Sequence, residues 1–160
     1  MQKKVIYIEN KDFIFEKSEE STGFLMWKVT NLWQREIKKA LKKFELTHSQ
    51  FVLLSSIYWL SNQKREVTQI VLSDFTKIDP MTTSSVLKTM QNKKLIVRMD
   101  PEVDTRAKLV RLTPMGIEVV KASITIIETF DKMFFGRVNA NLNLLNESFI
   151  NLLNYKSDSK

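Results

Sequence analysis

The sequence predicts a mainly α-helical protein that carries one small β-hairpin. Apolar residues recur at three- and four-residue steps through most of the chain, and helix-capping signals precede several of these segments. Residues 95–112 differ, because two short extended runs there flank a turn-rich loop. With 160 residues, the chain corresponds to one domain or to a compact pair of subdomains, and it can bury a core without disulfides or metals.

The first predicted elements are an N-terminal extension and a long helix. Residues 1–20 contain two short β-prone runs, which predict either a hairpin or an arm that lies on another subunit. Residues 22–44 place an apolar residue at every third or fourth position, which predicts an amphipathic helix of roughly 30 Å. Its apolar stripe consists of Leu25, Val29, Leu32, Trp33, Ile37, Leu41 and Phe44.

A complete start signal marks the second helix. Thr47 is placed to cap this helix, and Gln50 is placed three residues later to reach back to the cap. Leu46 and Phe51 are placed to form the accompanying hydrophobic staple. The apolar pattern continues to about Leu60, after which a polar connection follows.

Two shorter helices and the hairpin come next. Thr68 is predicted to cap the first helix, and Asp79 followed by Pro80 predicts the start of the second. Residues 95–99 and 109–112 are predicted to form the two strands. The second helix is expected to send Val86, Leu87 and Met90 inward. Its outward face is expected to carry Thr82, Thr83, Ser84, Ser85, Lys88 and Thr89.

The C-terminal part is predicted to contain two amphipathic helices. Thr113 and Pro114 predict the start of the first, and residues 137–143 separate it from the second. The apolar stripe of residues 114–155 is larger than one small domain can cover, which predicts a dimer.

The formal net charge of +7 is concentrated in the middle of the chain. Residues 21–116 hold sixteen basic and eight acidic residues, whereas residues 117–160 are neutral. Clustered positive charge favours a polyanion such as nucleic acid as the partner. A lysine-rich but otherwise ordinary surface gives the same count, so charge alone leaves both interpretations open.

The residue counts exclude several kinds of site. The chain has no cysteine, which excludes disulfides, thiolate metal sites and thiol-based sensing, and one histidine disfavours any metal site. Three glycines leave no phosphate-binding loop, and no paired carboxylates or nucleophile–base pair support an enzyme. No apolar run approaches 18 residues, and the start does not resemble a signal peptide. We therefore expect a cytoplasmic, non-enzymatic protein without a cofactor or a membrane partner.

The order of elements in residues 67–113 predicts a winged helix-turn-helix. The small hydroxyl side chains of residues 82–85 would reach base edges, and Lys88 would reach a flanking phosphate. The N-terminus of this helix also favours an anion. Arg106 suits insertion into a minor groove, with Asp104 placed to hold its guanidinium. The predicted DNA-contacting residues are Thr82, Thr83, Ser84, Ser85, Lys88, Asp104, Arg106 and Lys108.

Each of these features also has an ordinary structural explanation. A run of threonine and serine near a helix start commonly serves local hydrogen bonds, and an arginine in a polar loop is usually solvated. Their order, spacing and charge together favour double-stranded DNA as the partner. The alternative is a winged helix that docks a protein and prefers no duplex sequence.

The motifs of this region resemble those of the MarR family of bacterial transcriptional regulators. The match is made by residues 46–51, by residues 81–90 running into 95–98, and by residues 104–116. In the last of these, an Asp-x-Arg wing precedes a strand that ends in Leu-Thr, with a glycine three residues further on. The resemblance covers about residues 21–155. Lys94 stands where the family usually has glycine, so we expect a slightly different end to the recognition helix.

The resemblance implies a homodimer that reads a pseudo-palindromic operator, commonly as a repressor. It implies that residues 21–46 and 114–155 form the dimerisation helices and that residues 47–113 form the DNA-binding region. The recognition helix, about residues 80–93, would enter the major groove, and Arg106 would enter the minor groove. Many family members release DNA when a small, often aromatic or anionic molecule binds between the dimerisation helices and the DNA-binding region.

The composition narrows the kinds of effector that the resemblance implies. Without cysteine or a metal-ligand cluster, the chain is left with a noncovalent small-molecule effector or none. Trp27, His48 and Trp59 are the candidates for its pocket. A tryptophan on an apolar stripe more commonly belongs to a core or an interface, and His48 beside the predicted cap more commonly lies at the surface.

Overall fold

The computed structural model describes residues 14–15, 17–99 and 108–155. The described residues form six α-helices and one two-stranded antiparallel sheet, which confirms the predicted fold class. The helices are α1 (Thr22–Leu41), α2 (His48–Asn62), α3 (Gln69–Thr76), α4 (Pro80–Asn92), α5 (Pro114–Phe135) and α6 (Leu142–Leu153), and the strands are β1 (Ile96–Met99) and β2 (Leu109–Leu112). The β-prone runs predicted in residues 1–20 lie almost entirely outside the described residues.

The chain divides into two compact units, one up to Glu36 and one from Ile37 onward. In the first unit, the rings of Phe24 and Trp27 stack with their centroids 6.1 Å apart, and Lys28 Nζ lies 5.3 Å from the centroid of the Phe24 ring. The apolar side chains of this unit are largely exposed, including Phe24, Leu25, Met26, Trp27, Val29 and Leu32. The predicted stripe of the first helix is therefore not buried in its N-terminal half.

The core of the second unit is built around α2. This helix contacts α3, α4, α5 and β2, and it is buried on most of its sides, as expected for a helix at the centre of a domain. The fully buried side chains of the second unit include Ile37, Leu41, Leu53, Leu54, Ile57, Leu60, Leu72, Leu87, Met90, Ile96 and Val120. The capping box predicted at the start of α2 is present. Gln50 N donates to Thr47 Oγ1 at 3.2 Å, and Thr47 N donates to Gln50 Oε1 at 3.1 Å.

The two strands form the predicted hairpin. They pair antiparallel, with Ile96 opposite Leu112 and Met99 opposite Leu109. The segment before α3 joins the free edge of β2, since Val110 N donates to Val67 O at 2.8 Å. The base of the hairpin is thus held to the helical core on the β2 side.

The end of α4 differs from the expectation based on the missing glycine. Lys94 itself adopts the left-handed conformation, with φ at 58°, that a glycine would adopt there. Leu95 N donates to Met90 O at 3.0 Å and Lys94 N donates to Gln91 O at 2.9 Å, which is the usual Schellman end of a helix. The expectation of an altered helix end is therefore wrong, because Lys94 accepts a backbone strain of roughly 1–2 kcal/mol.

The last two helices leave much apolar surface exposed. Helix α5 buries Val120, Ser123 and Ile127, and it contacts α2. Helix α6 buries none of its residues. The exposed apolar side chains here include Met133, Leu144, Phe149, Ile150, Leu152 and Leu153. None of the described helices combines the length and apolar character that crossing a bilayer requires.

A close backbone approach joins the end of α4 to the start of α5. Thr113 Oγ1 donates to Lys94 O at 2.7 Å and accepts from Gly116 N at 3.0 Å, while Thr113 N donates to Leu95 O at 3.0 Å. A Cβ atom on Gly116 would lie only 2.0 Å from Leu95 O. Gly116 is therefore required by space, not by a special backbone angle.

We expect Gly116→Ala to lower the free energy of unfolding by about 1–3 kcal/mol, because the methyl group forces the Leu95 carbonyl away from α5. Gly136→Ala is the matched control, since a Cβ there meets nothing within 4 Å and its φ of −58° suits alanine. Urea unfolding followed by circular dichroism measures both variants. Equal stability of the two would contradict the close approach.

Candidate nucleic-acid interface

The start of α4 is fixed by its own capping residue. Asp79 Oδ1 accepts from Thr82 N at 2.9 Å, and Pro80 occupies the first turn, where its missing N–H costs nothing. Hydrogen bonds from Thr82, through its side chain and its N–H, lower the pKa of the Asp79 carboxyl below its ordinary value. The negative charge that a helix N-terminus favours is thus supplied by the chain itself. Asp79 thus occupies the helix end at which the sequence predicts an anion site, and that site stays a prediction.

Side-chain hydroxyls hold the turn between α3 and α4. Ile78 O accepts from Ser73 Oγ at 2.7 Å and from Thr83 Oγ1 at 3.3 Å. Gln69 Nε2 donates to Pro80 O at 3.3 Å, which ties the start of α3 to the start of α4. These contacts set the position and the rotation of α4 relative to α3.

Thr83 is completely buried, which corrects its predicted place on the outward face of α4. The helical period places Thr83 on the same face as Leu87 and Met90, both fully buried. Its hydroxyl is used within the turn and its methyl group lies in the core. Thr83 therefore supports α4 from inside, and its side chain is not accessible to a partner in this arrangement.

The outer face of α4 lies opposite this buried face and consists of Met81, Ser85, Lys88 and Asn92, all of them exposed. Among the other residues predicted for DNA contact, Thr82 is also exposed and Ser84 is half-buried, so both lie toward the sides of the helix. Met81 is not among the residues predicted from the sequence to contact DNA. A signal was available, because Met81 precedes Ser85 by four residues and Lys88 by seven.

The wing is only partly described. Asp104 and Arg106 lie outside the described residues, and Lys108 is exposed immediately before β2. Arg98 of β1, half-buried at the base of the hairpin, has buried Nε and Nη2 atoms that lack a hydrogen-bond partner among the described residues. The guanidinium group of Arg98 is therefore partly buried against the hairpin.

Of the three residues predicted for an effector pocket, His48 and Trp59 lie on α2 and Trp27 lies in the first unit. His48 is half-buried, and burial lowers the pKa of its imidazole, partly offset by the nearby Asp131 carboxylate. Trp59 is exposed on the same helix, about 16 Å further along the axis of α2. Trp27 is exposed in the first unit. Their role in a pocket stays a prediction.

A cavity of about 420 Å³ lies elsewhere, between the end of α2, the segment before α3, β2 and the start of α5. It is lined by Tyr58, Ser61, Asn62, Lys64, Arg65, Glu66, Val67, Leu109, Val110, Arg111, Leu112 and Ile117. Three of these side chains are basic and one is acidic, so the lining is positively charged. Within the described ranges no group of three His, Asp or Glu residues could hold a metal ion.

Comparisons with known proteins agree with this geometry. Residues 42–129 match the family model of the ArnR1-like winged-helix domain. The chain is 39% identical over 131 residues to the uncharacterized HTH-type transcriptional regulator YdcH of Bacillus subtilis (strain 168), covering 82% of this chain and 89% of that protein.

Two solved structures have the same fold. One is a cysteine-to-serine mutant of MarR from E. coli in complex with operator DNA, with a TM-score of 0.72, 19% identity, and coverage of 83% of this chain and 93% of that one. The other is CouR from Rhodococcus jostii RHA1 bound to p-coumaroyl-CoA, with a TM-score of 0.78, 17% identity, and coverage of 91% and 100%.

We expect Thr83→Ala to lower the free energy of unfolding by about 1–2 kcal/mol, because it removes a buried methyl group and a hydrogen bond. Thr89→Ala is the matched control in the same helix, since Thr89 is exposed. It should leave stability within about 0.5 kcal/mol of the original. If the control proved the more damaging change, the rotation of α4 described above would be incorrect. Urea unfolding provides the measurement.

Proposed function

Because the chain belongs to the MarR family of winged-helix transcriptional regulators, we propose that it is a homodimeric repressor that binds a pseudo-palindromic DNA operator. The observation that supports this most directly is the outer face of α4. This face is exposed along the whole helix, and the opposite face is held in the core by Thr83, Leu87 and Met90. A rigidly anchored helix with a free, largely polar face has the form that major-groove reading requires.

In this proposal the recognition helix supplies both base and phosphate contacts. Thr82, Ser84 and Ser85 carry small hydroxyls that can donate to or accept from base edges, and Lys88 reaches a phosphate. Arg106 enters the minor groove beside the same half-site, with Asp104 holding its guanidinium and Lys108 close to the backbone. The excess of basic residues in 21–116 supports a polyanionic partner. The related fold of MarR is seen with operator DNA.

The dimer is supported by the apolar surface of the C-terminal helices. Phe149 and Leu153 share one face of α6, and both are exposed although α6 is amphipathic. Covering such a face with a second copy removes this apolar surface from water. We propose that residues 21–46 and 114–155 supply the dimer contacts and that residues 47–113 supply the DNA-binding region.

A noncovalent effector completes the proposal. CouR has the same fold and holds p-coumaroyl-CoA, so this architecture can accommodate an anionic small molecule with an aromatic group. The chain has no cysteine through which an oxidant could act. Trp27, His48 and Trp59 remain the residues proposed for the pocket, and a thermal-shift screen of aromatic acids would detect such a ligand as a rise in melting temperature.

We expect Lys88→Ala to weaken binding to duplex DNA from the region upstream of the gene at least fivefold in 0.1 M salt. Because a dimer loses one phosphate contact per half-site, the slope of log Kd against log salt concentration should fall by about two. Fluorescence anisotropy with a labelled duplex measures both quantities.

Lys121→Ala is the matched control, since Lys121 is an exposed lysine inside α5. It should leave affinity and salt slope unchanged. Arg106→Ala, tested beside it, should also weaken binding. Equal affinity for the upstream duplex and for a scrambled duplex would contradict the proposal and favour the protein-docking alternative.

We expect light scattering at micromolar concentration to give about twice the 18.8 kDa mass of one chain. Phe149→Lys should shift the protein toward the monomer mass, because it places a charge on the apolar face of α6. Asn151→Lys, on the opposite side of α6, is the control and should remain dimeric. A monomer mass for the unmodified protein would overturn the dimer.

A further inference from the structure

The outer face of α4 contains one large apolar side chain. Met81, the second residue of the helix, is 85% exposed, more than any other large apolar residue described in the second unit. The remaining members of this face, Ser85, Lys88 and Asn92, are polar. An exposed apolar side chain on an otherwise polar surface is stabilised when a partner covers it and removes it from water.

The backbone under Met81 is held firmly. Asp79 caps the first turn, the ring of Pro80 restricts its own φ, and the Pro80 carbonyl accepts from Gln69. Thr83, two residues later, is locked in the core. Since two residues correspond to about 200° around a helix, the Cβ of Met81 points away from the core. The side chain is therefore presented at a defined place, while its unbranched thioether can still adapt its shape.

The chemistry of this turn disfavours a phosphate and favours an apolar contact. The Asp79 carboxylate caps the same helix end and, as an exposed aspartate, is ionised at neutral pH. A DNA phosphate would be repelled there. The apolar group that the major groove presents at a base edge is the C5-methyl group of thymine.

We propose that Met81 contacts a thymine C5-methyl group in the major groove and thereby makes a T·A pair preferred at one position of each half-site. This inference rests on the proposed function, because it requires α4 to enter the major groove. Met81 is then a specificity-determining residue, whereas Lys88 contributes affinity without regard to sequence.

The test removes the methyl group from the DNA and the thioether from the protein. A binding site is selected from a random duplex pool with the unmodified protein, and each thymine is then replaced singly by uracil, which lacks only the methyl group. At one thymine per half-site we expect uracil to weaken binding about fourfold, the effect of losing one buried methyl-sized group. Uracil at the other thymines should change the Kd less than twofold.

The protein variants assign this sensitivity to Met81. Met81→Ala should bind the selected duplex several-fold more weakly and should no longer distinguish thymine from uracil at that position. Met81→Leu should keep most of the distinction. Met115→Ala is the matched control, because Met115 is also exposed and also follows the proline that starts its helix, but in α5. It should respond to uracil as the unmodified protein does.

Each outcome of the test is decisive. If no uracil substitution weakens binding, or if Met81→Ala keeps the full sensitivity, the inference is overturned while sequence-specific DNA binding stands. If the pool yields no preferred sequence, the proposed function fails and the inference fails with it. Circular dichroism melting of Met81→Ala should match that of the unmodified protein, since an exposed side chain adds little to stability.

Discussion

The contact between the start of α5 and the Leu95 carbonyl holds α4, the hairpin and α5 together. Leu95 follows the left-handed turn that ends α4, and its carbonyl accepts from the backbone N–H of Thr113. Gly116 permits the approach, since any Cβ would occupy the same space. The end of the recognition helix, the first strand of the hairpin and the start of α5 therefore meet at one residue. A displacement of the start of α5 would therefore also move β1 and the end of α4.

The second constraint is the rotation of α4 about its own axis. Thr83, Leu87 and Met90 fill the core side, and hydroxyl contacts to the Ile78 carbonyl set the depth at which the helix starts. Once that face is fixed, the outer face follows from the helical period. Met81 and Ser85 are thereby brought to the place where base edges would lie. The residues of α4 that pack into the core therefore also determine which residues of the same helix face outward.

Two positions along α4 carry opposite charges. Asp79 places a negative charge at the N-terminus of α4, while Lys88 places a positive charge two turns further along. In the proposed complex with DNA, the first position would repel a phosphate and the second would attract one. The exposed apolar residues of α6 lie in a region of the chain with no net charge.

Local sequence signals were enough to predict where four of the six described helices begin and where the two strands lie, whereas α6 begins at Leu142, inside the predicted break of residues 137–143. The caps at Thr47, Thr68, Asp79 and Thr113 are all present, because a cap is a hydrogen bond between residues three apart and depends on little else. Two features follow only from the packed chain: Thr83 belongs to the buried side of α4, and residue 116 has no room for a side chain. These depend on atoms far apart in the chain, so a run of four hydroxyl residues could not reveal that one of them belongs to the core.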